Sequence, residues 1–138
     1  MGRLKIEYGI DLGTTNSAIA RIENGVSNIL EIDNSKTVPS VVLYDRKDNC
    51  QVGIRALNTN KPKFVEFKRD MGMECLTDSP EAKLQNGTLI TAEILSTEVL
   101  KKLAEGVNDE ILKSVVVTVP AMFEVGQIEA TKRAAKLA

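Results

Sequence analysis

Histidine is absent from this chain, and cysteine occurs only twice in its 138 residues, at Cys50 and Cys75. Without an imidazole there is no Ser–His–Asp or Cys–His pair to activate a nucleophile. Two thiols so far apart neither frame a disulfide scaffold nor close a zinc knuckle. Both cysteines are read as small apolar filler. An excess of one charge is missing too, since 18 Lys and Arg stand against 19 Asp and Glu, a net charge of −1. That balance creates no field to gather nucleic acid or an anionic membrane, so neither is an expected partner. No apolar run reaches the length of a membrane span and no secretory leader is visible, which makes a cytoplasmic location the expectation. The composition itself, 43% apolar and 27% charged, is that of a globular chain with one core.

The most informative stretch lies near the start. Ile6, Tyr8, Ile10 and Leu12 alternate with Lys5, Glu7, Gly9 and Asp11, the period of a strand with two unlike faces. Residues 17–23 alternate again and run into Asn24-Gly25. Between the two lies Gly13-Thr14-Thr15-Asn16, a turn with almost no side-chain bulk. Gly13 lets another molecule come close to the backbone, and the amides with the Thr14, Thr15 and Asn16 side chains offer hydrogen-bond donors. Asp11 places one carboxylate beside them. Donors for phosphate oxygens next to a carboxylate for a hydrated Mg²⁺ suit a nucleotide, because that ion keeps most of its waters. The same five residues would also serve as an ordinary hairpin turn.

Further along, Asn24-Gly25 predicts a tight hairpin and a third strand over residues 26–32, followed by a polar loop over 33–36. Residues 38–44 are apolar and β-branched, with Pro39 at the strand's start or edge. A charged turn and a short returning strand over 50–53 come next, then a short helix over 54–60 stopped by Pro62. Lys68-Arg69, taken alone, is a surface charge pair. Leu89-Ile90 is a last short strand, and Thr91 caps a helix over 92–107 whose Leu95, Val99 and Leu103 recur every four residues. The run over 115–119 reads as a strand buried on both faces, ended by Pro120 and followed by a final helix.

Three segments carry a resemblance. Residues 9–17, Gly-Ile-Asp-Leu-Gly-Thr-Thr-Asn-Ser, closely resemble the first phosphate loop of the DnaK-type heat-shock chaperones, the seventy-kilodalton class, and less specifically those of other actin-like ATPases. Residues 37–42 followed by Val52-Gly53 look like a pair of segments in the same chaperones. Thr118-Val119-Pro120-Ala121-x-Phe123, with Gln127, Ala130, Thr131 and Lys132, is similar to a third. The resemblance implies an α/β fold: a ribonuclease H-like (actin-like ATPase) lobe with a mixed sheet over residues 1–36 and 108–138, and a small inserted α+β subdomain over 37–107. It implies ATP or ADP with Mg²⁺ as ligands, Gly13, Thr14, Thr15 and Asn16 on phosphates, Asp11 on water-bound Mg²⁺, and, because Lys68-Arg69-Asp70-Met71-Gly72 resembles the family's Lys-Arg-x-x-Gly segment, Lys68 as the catalytic cation near the γ-phosphate.

The implied activity is ATP hydrolysis coupled to binding and release of unfolded polypeptides through a separate domain, with a J-domain co-chaperone and a nucleotide-exchange factor as partners. Met122, Val125 and Ile128 stand where the family usually has Tyr, Asp and Arg, which puts the interdomain relay and J-domain pairing in question. The second phosphate loop and adenosine pocket of the family are missing, and the last helix stops uncapped at Ala138. The expectation is therefore an N-terminal fragment, inactive by itself, whose exposed sheet edge favours self-association. Two other readings share the first loop: a sugar or other small-molecule kinase, and an actin-like filament ATPase.

Overall fold

A computed structural model of the chain describes residues 6–107, 115–118 and 123–137. Strand β1 (Ile6–Leu12) and strand β2 (Asn16–Glu23) form an antiparallel hairpin in which Ile6 faces Glu23 and Leu12 faces Ser17. Tyr8, Ile10 and Leu12 point into the core, as their alternation predicts. Asn24 and Gly25 both have positive φ, 51° and 82°, the mirror-image turn that matches strand twist and leads into β3 (Val26–Ile29).

The third strand is shorter than predicted. It ends at Ile29 because Asp33 and Asn34, again at positive φ, fold the chain into a second tight turn closed by an Ile32–Ser35 bridge. The expected strand over 38–44 is two strands. β4 (Val38–Pro39) pairs with the start of β2, while β5 (Val42–Tyr44) pairs with β6 (Cys50–Val52) in a separate two-stranded sheet. Pro39 lacks an N–H to continue a ladder, and Val41 turns back to donate to the Pro39 carbonyl at 2.8 Å. Helix α1 (Ile54–Leu57) is one turn long. Leu89 makes a single bridge with Lys83 rather than a strand.

Thr91 caps α2 (Ala92–Ala104), its hydroxyl oxygen accepting the Ile94 amide proton at 3.2 Å. The helix buries Leu95, Val99 and Leu103 completely, on the face their spacing predicts. Thr91→Ala is expected to lower stability by about 1 kcal/mol, measured by urea denaturation; an unchanged midpoint would mean the cap is redundant. The helix ends at Ala104 rather than Val107, because Glu105 and Gly106 close tighter turns onto Lys102 and Leu103.

β7 (Val115–Thr118) runs parallel to β1, giving the order β3-β2-β1-β7 with β4 attached to β2. The expectation of a strand buried on both faces does not hold. Val116 is 61% exposed, whereas Val115 and Val117 are half-buried. Among the described residues β7 pairs with β1 alone, which leaves it at the edge of the sheet, and its Val116–Thr118 face is exposed. Residues 119–122, with Pro120 and Met122, lie outside the described residues. Helix α3 (Val125–Leu137) packs on α2 through Ala130 and Ala134. One buried cluster joins Tyr8, Ile10 and Leu12 to Val42, Met71, Leu95 and Ala134, while Val41, Leu43 and Ala56 form a small separate one.

Candidate functional site

The turn between β1 and β2 brings Gly13, Thr14, Thr15 and Asn16 together at one end of the sheet. Its shape depends on glycine for want of space: a Cβ on Gly13 would overlap the backbone carbonyl oxygen of Asn16. Thr14 is half-exposed and Thr15 and Asn16 are exposed, so their donors face solvent. The backbone of the tip is tied inward. Gly13 N–H donates to Ser17 Oγ at 3.2 Å, and Ser40 Oγ donates to the Gly13 carbonyl at 2.9 Å.

Asp11, two residues before the turn, is opposite Thr118 in the parallel β1–β7 register. The Thr118 hydroxyl lies 3.1 Å from Asp11 Oδ1 and 3.3 Å from the Ile10 carbonyl. Its single proton favours the charged acceptor, which orients the carboxylate. The strand register thus holds Asp11 in place from a segment more than a hundred residues away.

Lys68 comes from a 3-10 helix over Phe67–Asp70, entered through Glu66 in the left-handed region at φ 51°. The Lys68-Arg69 pair is not a surface pair. Lys68 is 6% exposed, while the Arg69 side chain is 72% exposed and reaches Glu66. The Lys68 ammonium sits 5.7 Å from the centre of the Phe123 ring, a cation–π distance. Among the described residues no carboxylate lies within ion-pair distance of it. Burial lowers its pKa below the ordinary lysine value, and the charge of Asp11 restores part of the difference. The charge of Asp11, at the end of β1, is thus felt at Lys68.

A cleft of about 580 Å³ elsewhere, lined by Tyr44, Phe64, Pro80 and Leu84 among others, contains none of these residues. Two of its acidic groups have partners within the fold: Asp45 accepts the amides of Lys47 and Asn49, and Asp48 those of Gln85 and Asn86. The loop has outward donors, with Asp11 two residues before it and the buried Lys68 within electrostatic reach of that carboxylate. Ser17, Ser40 and Phe123 were not among its expected residues, nor was Thr118. Ser17 carried a usable signal, since it occupies the inward phase of β2 two residues before Ile19, where a hydroxyl needs a buried partner.

The fold and the loop together define an α/β protein with a strand-turn-strand, its hydrogen-bond donors facing solvent, at one end of a mixed sheet. A family model described as Hsp70 protein matches residues 7–138, and the chain belongs to the Hsp70 family. It is 43% identical over 138 residues to a chaperone protein DnaK of Mycoplasmopsis pulmonis, covering 97% of this chain and 22% of that protein. It is 41% identical over 141 residues to the DnaK of Mycoplasma mobile, covering 100% of this chain and 23% of that one. A chaperone protein HscA homolog of Janthinobacterium sp. is 37% identical over 158 residues, covering 97% of this chain and 25% of that protein. The chain thus spans about a quarter of the length of these relatives. Family membership disfavours the sugar-kinase and filament readings. No helix of the described residues is long and apolar enough to cross a membrane.

Proposed function

We propose that this chain is the N-terminal part of the nucleotide-binding domain of an ATP-dependent, cytoplasmic chaperone. Its sheet is read as the first, ribonuclease H-like lobe, over 1–36 and 108–138, with 37–107 as the inserted subdomain. The observation that carries the nucleotide reading is Lys68, a buried lysine with no carboxylate partner among the described residues, close enough to Asp11 at the end of β1 to feel its charge. Burying an unpaired cation is unfavourable unless an anion completes it, and a phosphoryl group is the anion that the loop's outward donors suit.

In this reading Thr14, Thr15 and Asn16 donate to phosphate oxygens, while Gly13 keeps the tip low enough for them to approach. Lys68 offsets charge that develops on the transferred phosphoryl group. Asp11 supplies one carboxylate, and the described residues hold no cluster of three metal-ligating side chains. That donor set fits Mg²⁺, which retains most of its waters and would neutralise phosphate charge when bound. Hydrolysis by the whole protein would switch a peptide-binding domain between states, with unfolded polypeptides as clients and a J-domain co-chaperone and nucleotide-exchange factor as regulators. By itself the chain is expected to turn over little ATP, and the exposed Val116 on β7 supports its self-association.

Calorimetric titration of ATP into the full-length gene product, with Mg²⁺ and with chelator, tests this. Wild type is expected to bind more tightly with Mg²⁺, and Asp11→Asn to lose most of that difference. Equal affinities for wild type in both conditions would remove Asp11 from the metal's surroundings, and absence of binding would reduce the loop to a hairpin turn.

A further inference from the structure

The two serines at the base of the loop have a hydrogen-bond pattern whose proton directions can be worked out. Ser40 has one hydroxyl proton and donates it to the Gly13 carbonyl at 2.9 Å. The proton between Ser17 Oγ and Ser40 Oγ, 2.8 Å apart, must then come from Ser17. Ser17 in turn accepts the Gly13 amide proton at 3.2 Å. The result is a closed ring, amide to hydroxyl to hydroxyl to carbonyl, that begins and ends on the same glycine. Its two hydroxyls are buried, with Ser17 1% and Ser40 2% exposed. The Ser40 amide adds a fourth tie, donating to the Thr15 carbonyl at 2.8 Å.

We propose that Ser17 and Ser40 are positioning residues for phosphate binding, acting through Gly13; the inference rests on the nucleotide reading above. A glycine peptide at a tight turn rotates easily. If its carbonyl turned outward, it would present an acceptor to phosphate oxygens and repel them. The ring holds both polar groups of Gly13 inward and leaves the outer rim to the donors of Thr14, Thr15 and Asn16. Ser40 also follows β4 and precedes β5, the join between the main sheet and the two-stranded sheet. The geometry of the loop therefore depends on where that second sheet stands.

Closure of the ring makes a specific demand on mutants. Either substitution removes the hydroxyl–hydroxyl bond and leaves the other serine a lone bond to Gly13 without the partner that polarised it, so the two losses are coupled rather than independent. In the full-length gene product, Ser17→Ala and Ser40→Ala are each expected to weaken Mg-ADP binding about tenfold, or about 1.4 kcal/mol, and the double variant by well under the product of the two losses. The KM for ATP should rise more than kcat falls. Losses that multiply to about a hundredfold, or a lowered thermal midpoint with unchanged nucleotide affinity, would overturn the proposal and leave the serines as packing groups. Amide exchange in the unmutated protein gives a second reading that needs no variant to fold. The Gly13 amide should exchange far more slowly than that of Thr14, and equal rates would show that the ring does not persist. Binding in wild type with unchanged affinity in the variants defeats this inference alone, whereas no binding in wild type defeats it together with the nucleotide reading.

Discussion

Gly13→Ala is expected to lower stability by roughly 3 kcal/mol and to abolish nucleotide binding. The added Cβ would overlap the Asn16 carbonyl oxygen, a backbone atom that cannot rotate away. Asn16 opens β2 and is paired with Pro39 of β4, so moving it disturbs both the hairpin and the strand beside it. Gly25 is the contrasting case. It sits at φ 82°, with nothing within 4 Å of an added Cβ, so its requirement is torsional, whereas that of Gly13 is steric. Urea denaturation and titration with Mg-ADP together check the prediction. A Gly13→Ala protein within 1 kcal/mol of wild type would mean that the loop opens freely, and the ring through Ser17 and Ser40 would have to be reconsidered.

Lys68→Met is expected to do the opposite to stability while being as damaging to function. Methionine has nearly the length of the lysine stem, and replacing a buried charge with an apolar group of similar shape commonly stabilises, here by roughly 1 kcal/mol, the Phe123 contact having offset part of the original penalty. The sign with pH follows from the lowered pKa of Lys68, whose first cause is burial and whose value unfolded is the ordinary 10.5. Between the lowered value and 10.5 the unfolded chain binds the extra proton, so the wild-type protein gains stability as pH rises through that window. Below the window the penalty is fully present; above it, both states carry a neutral amine. The advantage of Lys68→Met should therefore be largest near neutrality and shrink toward pH 10.5. ATP hydrolysis by the full-length gene product should fall at least about a hundredfold, the scale of losing one preorganised donor to a developing charge. A destabilised Lys68→Met protein, or one that still hydrolyses ATP normally, would show that the ammonium serves packing rather than phosphate.

Both expectations come from one arrangement: a turn with no room for a side chain at Gly13, and a buried cation with no carboxylate partner among the described residues. The cation departs from what stability alone would favour. Sites that work by presenting unsatisfied donors commonly carry such a penalty, and the surrounding fold bears it. Here the bearing structure is the β1–β2 hairpin, the Thr118 hydrogen bond to Asp11, and the α2 helix packed beneath.

Local chemistry was enough to read the hairpin, the Asn24-Gly25 turn, the Thr91 cap and the buried face of α2 from the residues, because each is settled within a few positions of the chain. Alternation placed Tyr8, Ile10 and Leu12 inward, and residue type placed Gly13 through Asn16 at a turn. Partners distant in sequence decided the rest. Val116 has the composition of a buried strand residue, but exposure depends on which layers cover it. Residues 38–44 look continuous, yet β4 joins β2 and β5 joins β6, a choice between two sheets that periodicity does not encode. Lys68 and Arg69 are adjacent and alike in charge, and only packing against Phe123 buries one while the other stays in water. The serine ring needed tertiary structure most of all. Ser17 and Ser40 lie 23 residues apart, and a hydroxyl has no sequence pattern for its partner; their meeting follows from the pairing of β4 with β2, which brings Ser40 against the glycine of the loop.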